Sequence, residues 1–384
     1  MKIVIAADSF KGSLSSPQVV HRIARGLSAV LPEAQLVCLP IADGGEGTVE
    51  AFATAAGGTL HTVPVLDPLG REISAQYCIL PDGSAVIEMA QASGLPLLKP
   101  HELDPLAAST YGTGQLIRHA LDQGCRRFIV GVGGSATTDG GSGMAQALGV
   151  RMLDKEGRPL PPGGGALSRL ERIDCQHMDP RLRESTFLVA SDVDNVLCGP
   201  TGAAAVYGPQ KGAKQQDIPL LDAALAHYGA LLKEQLGADV SDRPGAGAAG
   251  GLGAGLMAFC QASLHSGIET VLDLFHFDTH VADADLVITG EGRIDFQSAR
   301  GKVPYGVTRR TKSIRDIPVV AIVGCVGQGA EAMYEHGLDA IIPINDGTLT
   351  IEESIARAGE LIEDTAFNLF HRLKTEGISF GSVY

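Results

Sequence analysis

The sequence predicts an α/β protein: a doubly wound, five-stranded parallel sheet domain interrupted by a second, larger mixed α/β domain, with the active site in the cleft between them. Three observations predict it. Short β-branched apolar runs alternate with amphipathic helical runs at both ends of the chain, the pattern of a parallel sheet. The stretch after residue 58 changes to consecutive strand-like runs split by turn signals, which reads as antiparallel β. Seven candidate strands end in glycine, carboxylate or hydroxyl loops, and open α/β sheets bind ligands beyond the carboxyl ends of their strands. Residues 1–66 and 283–384 are therefore expected to form a discontinuous Rossmann- or flavodoxin-like domain, and residues 67–282 the inserted one.

The elements follow in order. Ile3-Val4-Ile5-Ala6-Ala7 suits a strand buried on both faces. It gives way to Asp8-Ser9-Phe10-Lys11-Gly12-Ser13-Leu14-Ser15-Ser16-Pro17. A helix is expected over 19–30, where Val19, Val20, Ile23, Leu27 and Val30 recur at helical spacing. Ser15 or Ser16 can cap it, and Pro17 suits its first turn. Residues 36–41 read as a second strand ending in Ala42-Asp43-Gly44-Gly45-Glu46-Gly47-Thr48, with a helix over 49–56. Runs 60–66, 72–80 and 84–89 are strand-like, separated by Asp67-Pro68-Leu69-Gly70 and Pro81-Asp82-Gly83. In the insert, strand 128–132 leads into the glycine-rich loop 133–143 and a helix over 144–148. Strand 186–190 leads into Ser191-Asp192-Val193-Asp194-Asn195. A third glycine cluster, 245–255, precedes a helix over 256–262. Alternation resumes with strands 284–289, 318–323 and 339–344 and helices 303–314, 331–336 and 351–372.

Composition limits the function. The 384 residues favour two domains. A net charge of −14 without a basic stripe argues against nucleic acid and anionic membranes. A small anionic ligand stays allowed, because charges farther off than a Debye length of roughly 8 Å are screened. The seven cysteines are dispersed and never form Cys-x-x-Cys, as expected of reduced thiols. The N-terminus lacks a signal-peptide pattern, and no apolar run reaches about twenty residues, so a cytoplasmic location is expected. A homodimer is compatible with all of this.

The chemistry lies in the loops. Glycine-rich loops let successive backbone N–H groups approach a phosphate, and those at 133–143 and 245–255 both lead into helices. Tight helix–sheet packing is the competing explanation. Lys11, Lys211 and Lys302 each adjoin glycine and suit a point charge on phosphate. The carboxylates Asp8, Asp43, Asp192, Asp194, Glu291 and Asp295 exceed what helix capping needs. Phosphoryl transfer wants Mg²⁺ on one or two carboxylates and a base near the attacking hydroxyl. Gly131-Val132-Gly133-Gly134-Ser135-Ala136 fits a Gly-x-Gly-x-x-Ala fingerprint, which keeps an NAD(P)-dependent oxidoreductase acting on a small hydroxy acid as the alternative. A solute-binding protein is a further rival, disfavoured by the missing export signal. No P-loop and no Gly-x-Ser-x-Gly elbow is present. His276 and His280 are four apart but lack a third ligand at matching spacing.

Taken together, Asp8-Ser9-Phe10-Lys11-Gly12, Asp43-Gly44-Gly45-Glu46-Gly47-Thr48, the loop 133–141, Gln210-Lys211-Gly212, Gly247-Ala248-Ala249-Gly250-Gly251 and Thr289-Gly290-Glu291-Gly292-Arg293-Ile294-Asp295 resemble the class I bacterial glycerate kinases. The resemblance runs in order from Met1 to about Ile344. One departure is Asn195-Val196, where the family pattern has Asn-Pro. The resemblance implies ATP- and Mg²⁺-dependent phosphorylation of D-glycerate, in glyoxylate or sugar-acid catabolism. It implies catalytic roles for Asp8, Lys11, Asp192, Glu291 and Asp295. It places Gly133, Gly134, Ser135, Thr138, Lys211, Gly250, Gly251 and Lys302 around ATP, and Asp43 and Arg293 on glycerate. Asp192, Asp194 and Glu291 are the expected metal ligands. Asp192 is the expected base, with Asp8 as its rival.

Overall fold

The computed structural model describes residues 1–42, 47–345 and 347–376, without the side chains of Ala55, Arg300 and residues 372–376. Asp43, an expected glycerate ligand, and Asp346 lie outside the described residues. Within them the strands are β1 (Lys2–Ala7), β2 (Gln35–Pro40), β3 (Thr59–Leu66), β4 (Glu72–Ile79), β5 (Ser84–Glu88), β6 (Arg127–Gly131), β7 (Arg151–Leu153), β8 (Arg172–Asp174), β9 (Thr186–Ala190), β10 (Ser263–His265), β11 (Leu286–Ile294), β12 (Val319–Val326) and β13 (Ala340–Pro343). No described helix is long and apolar enough to cross a membrane.

The chain divides into two compact units, one of residues 1–43, 50–56 and 266–384, the other of residues 44–49 and 57–265. The sequence placed the breaks at 66 and 283. The earlier first break follows from β3, which pairs antiparallel with β4 along its whole length and so joins the second unit's sheet. The earlier second break follows from the helices Gly267–Leu274 and Phe277–Val281. Arg310, on the helix Val303–Ile314, binds Glu269, Asp273 and Asp278 of these helices at 2.5, 2.6 and 2.7 Å.

In the first unit all five strands are parallel, in the order β13-β12-β11-β1-β2. Ile3, Val4, Ile5, Ala6 and Ala7 of β1 are fully buried, as a central strand covered on both faces requires. The helix Ser16–Val30 buries Val19, Val20, Ile23, Leu27 and Val30 against this core. Its Gly26 lies so close to the helix Ala358–Glu376 that an added Cβ would stand 2.3 Å from the Glu363 carbonyl oxygen. The expected helix over 351–372 breaks at Arg357 into Ile351–Ala356 and Ala358–Glu376.

The second unit holds a six-stranded mixed sheet, β10-β9-β6-β5-β4-β3, and a β7–β8 hairpin. β10, β9, β6 and β5 run parallel to one another, while β5, β4 and β3 form an antiparallel meander. Its core is built from Tyr77, Ile87, Phe128, Val130, Leu225 and Tyr228 among others.

Candidate active site

In the first unit β1 and β11 are neighbours, yet the chain leaves β1 for one side of the sheet and β11 for the other. That is the topological switch point, where the crevice of a doubly wound sheet opens. Ala7 pairs with Gly290, so Asp8, where β1 ends, comes level with Glu291 of β11, which stays paired with β12 as far as Ile294. A cavity of about 280 Å³ lies there and is lined by Asp8, Lys11, Glu291, Arg293 and Lys302, among others.

Local sequence explains why each group is held. The Asp8 amide donates to the Gly290 carbonyl at 2.9 Å, and the Ser9 amide donates to Asp8 Oδ1 at 2.6 Å. Phe10 and Leu14 then bond each other's backbone at 2.8 and 3.0 Å, closing a tight loop around Lys11. Gly12 has φ +77° at its tip, a conformation that favours glycine. Ser16 Oγ donates to the Ala7 carbonyl at 2.6 Å, and Gln18 Oε1 accepts from the Ser15 amide at 3.0 Å, anchoring the helix start.

Glu291 is 6 % exposed. Burial pushes its pKa above the ordinary carboxylate value, and the Ser298 hydroxyl, Lys302 and Lys11 oppose that rise. Ser298 Oγ donates to Glu291 and accepts from the Asp295 amide at 3.0 Å; Lys302 Nζ stands 3.7 Å from Glu291. Asp295 pairs with Arg293 at 3.3 Å and accepts from the Gln297 amide, so it orients Arg293 beside the cavity. Three cations and two carboxylates thus face one cavity in a chain of net charge −14. The arrangement suits a small anion, with carboxylates left to take a proton or hold a hard cation.

The other expected residues lie in the second unit, and most are turned inward. Lys211 is buried, and its Nζ donates to Ser135 Oγ and the Thr137 carbonyl, both at 2.7 Å. Ser135 and Thr138 are buried as well. Gly250 has φ +69°, and a Cβ there would stand 1.9 Å from the Thr137 carbonyl oxygen. Gly251 has φ +90°, with a Cβ 2.8 Å from Gly140 Cα. The glycine loops pack on one another, joined by the Gly140 amide on the Gly250 carbonyl at 3.0 Å. Close backbone approach therefore accounts for Gly250 and Gly251. Gly250→Ala is expected to destabilise the chain by about 2–5 kcal/mol, from the left-handed backbone and the clash, read as a lower urea midpoint. Gly133 and Gly134 are the more accessible members of their loop.

Asp139 belongs to the same loop and is the group whose importance the sequence hid. It is fully buried and accepts from the Thr110 amide at 2.8 Å, Thr110 Oγ1 at 2.9 Å, and the Gly141 and Gly143 amides at 3.1 and 3.2 Å. It pins the loop instead of facing a ligand. Gly131-x-Gly-x-x-Ala does not open a helix: the next one starts at Ser142, so the fingerprint lacks the helix N-terminus that a pyrophosphate would need.

Asp192 and Asp194 are exposed on the loop after β9. They belong to the second unit and Glu291 to the first, and among the described residues no group of three His, Cys, Asp or Glu is arranged around a metal position. His276 has φ +49° and precedes the helix Phe277–Val281.

A model of the glycerate kinase family matches residues 3–374. The chain belongs to the glycerate kinase family. It is 50 % identical over 368 residues to a glycerate kinase of Halalkalibacterium halodurans, covering 96 % of this chain and 97 % of the relative. It is 47 % identical over 359 residues to the glycerate 2-kinase of Escherichia coli K12, covering 93 % and 94 %. A crystal structure described as a glycerate kinase 2 from Salmonella typhimurium LT2 superposes with a TM-score of 0.88 at 47 % identity, over 98 % of this chain and 99 % of that one. The expected family is thus shown, and with it an enzyme of the kinase class.

Proposed function

We propose that this family member transfers the γ-phosphoryl group of ATP to D-glycerate, giving 2-phosphoglycerate and ADP, in glyoxylate or sugar-acid catabolism in the cytoplasm. The observation that carries the reading is the gathering of Asp8, Lys11, Glu291, Arg293 and Lys302 on one cavity at the switch point. Lys11 and Arg293 hold the glycerate carboxylate, Arg293 being the group able to bind it through two parallel N–H donors. Asp8 accepts the proton of the attacking hydroxyl. The new O–P bond forms as the bond from the γ-phosphorus to the bridging oxygen breaks, and ADP leaves.

Glu291 offers hard oxygen donors, which suit Mg²⁺ held by one or two carboxylates plus substrate phosphates. Mg²⁺ bound there would neutralise phosphate charge. Lys302, beside Glu291, supplies a fixed positive charge for the same phosphates. Asp192, exposed in the second unit, is the rival base.

The test is ADP release with D-glycerate as acceptor, the product then being offered to enolase without a mutase. Direct enolase turnover identifies 2-phosphoglycerate, while a requirement for the mutase identifies 3-phosphoglycerate. ADP release independent of D-glycerate would remove the reading. Because Glu291 acts ionised and burial raises its pKa in the free protein, the acid limb of kcat/KM is expected above the ordinary carboxylate range, and Glu291→Gln should abolish that limb.

A further inference from the structure

Four residues of the cavity wall, Ile351, Ser354, Ile355 and Ala358, recur at i, i+3, i+4 and i+7 and present one helical face to the cavity. The spacing carries across Arg357, where one helix gives way to the next. The short helix Ile351–Ala356 buries none of its residues: Ile351 is 74 % exposed and Ile355 44 %. The helix is held in place all the same. Thr350 and Glu353 bond each other's backbone amides at 3.2 and 2.9 Å, and Ser13 Oγ donates to the Ile355 carbonyl at 2.9 Å.

Isoleucines exposed on a fixed concave wall favour an apolar ligand surface over water. The same cavity carries Lys11, Arg293 and Lys302. An apolar wall and a cluster of cations suit a ligand with a flat apolar head and an anionic tail. A three-carbon hydroxy acid has little apolar surface to set against two isoleucines. The cavity, about 280 Å³, is close to the roughly 300 Å³ lower bound for drug-sized ligands. Sheets of this strand order also hold flavin mononucleotide at this switch point.

We propose that the face formed by Ile351, Ser354, Ile355 and Ala358 seats the purine of the nucleoside triphosphate, with its phosphates directed toward Lys302. This rests on the reading of the chain as an ATP-dependent kinase. It assigns the nucleotide to the first unit, in place of the glycine loops of the second.

The test compares the wild type with Ile351→Ser/Ile355→Ser, whose changes are at exposed positions. The double variant is expected to raise the KM for ATP about tenfold, with kcat and the KM for D-glycerate within about twofold. Adenosine, a probe without phosphate, should compete with ATP on the wild type and bind about tenfold more weakly to the variant by calorimetry. Unchanged ATP KM and unchanged adenosine binding would overturn the assignment. So would a shift in sedimentation with unchanged kinetic constants, which would make this face a contact between copies. A wild type without D-glycerate-dependent ADP release defeats the kinase reading instead, and adenosine calorimetry on both proteins then still decides the purine seat.

Discussion

Asp8→Asn is expected to lower kcat by about 10²–10⁴-fold, the usual contribution of a positioned general base. The substitution is nearly isosteric, and the side-chain oxygen can still accept from the Ser9 amide, so the loop keeps its form. The lost step is proton acceptance from the glycerate hydroxyl, and the KM for D-glycerate should change far less than kcat. Asp192→Asn is the matched control. Asp192 is exposed on the loop after β9, and its amide variant should keep turnover within about threefold. A full loss in Asp192→Asn with activity retained in Asp8→Asn would reverse the assignment and return the base to the position expected from sequence.

Lys211→Met should change how stability depends on pH. In the folded chain burial depresses the Lys211 pKa from 10.5 to about 7, against an opposing pull from Asp139. An uncharged amine has two N–H groups, and Ser135 Oγ and the Thr137 carbonyl accept both. Between pH 7 and 10.5 the unfolded chain holds a proton that the folded chain does not. Folding stability therefore rises with pH in this window, at up to ~1.4 kcal/mol per pH unit, and the contribution is flat below about pH 7. Urea unfolding at pH 6 and pH 9 should show the wild type gaining roughly 2–3 kcal/mol more than Lys211→Met. At pH 9 the variant should also be the less stable protein, because two buried acceptors lose their donor, at about 1–3 kcal/mol each. Parallel pH dependences would mean that Lys211 keeps its charge when folded.

The first unit was legible because its strands are continuous apolar runs and its loops carry chemistry at every carboxyl end. Asp8, Lys11, Glu291, Arg293 and Lys302 were all named from sequence, and four of the five follow from the ends of two neighbouring strands, β1 and β11; Lys302 lies on the loop that follows β11 and leads into the helix Val303–Ile314. The second unit was harder to read. The helix Asp217–Leu236 and the β7–β8 hairpin have no counterpart among the expected elements. The helix has apolar residues on more than one face, and the strands of the hairpin are three residues each, too short for a periodic signal.

Glycine and lysine were the residues whose roles composition could not decide. A glycine that cradles an anion and one that admits a neighbouring backbone look alike in sequence. At Gly250 and Gly251 the neighbour is Thr137 or Gly140. Lys211 beside Gly212 resembles Lys11 beside Gly12, yet one is buried and the other lines the cavity. Asp139 shows the converse: a carboxylate in a conspicuous loop serves as the pin for its own backbone. Ile351 and Ile355 were unremarked because an exposed apolar face can be recognised only once the cavity it lines is known.

Under the proposed reading the substrates occupy the switch-point cavity of the first unit. Acetylation of lysines, quantified by mass spectrometry with and without D-glycerate and a non-hydrolysable ATP analogue, tests it most directly. Lys11 and Lys302 should be protected together by the two ligands, whereas Lys155, 81 % exposed in the second unit, should react at an unchanged rate. Equal labelling of Lys11 and Lys302 in the presence and absence of saturating ligands would contradict the account.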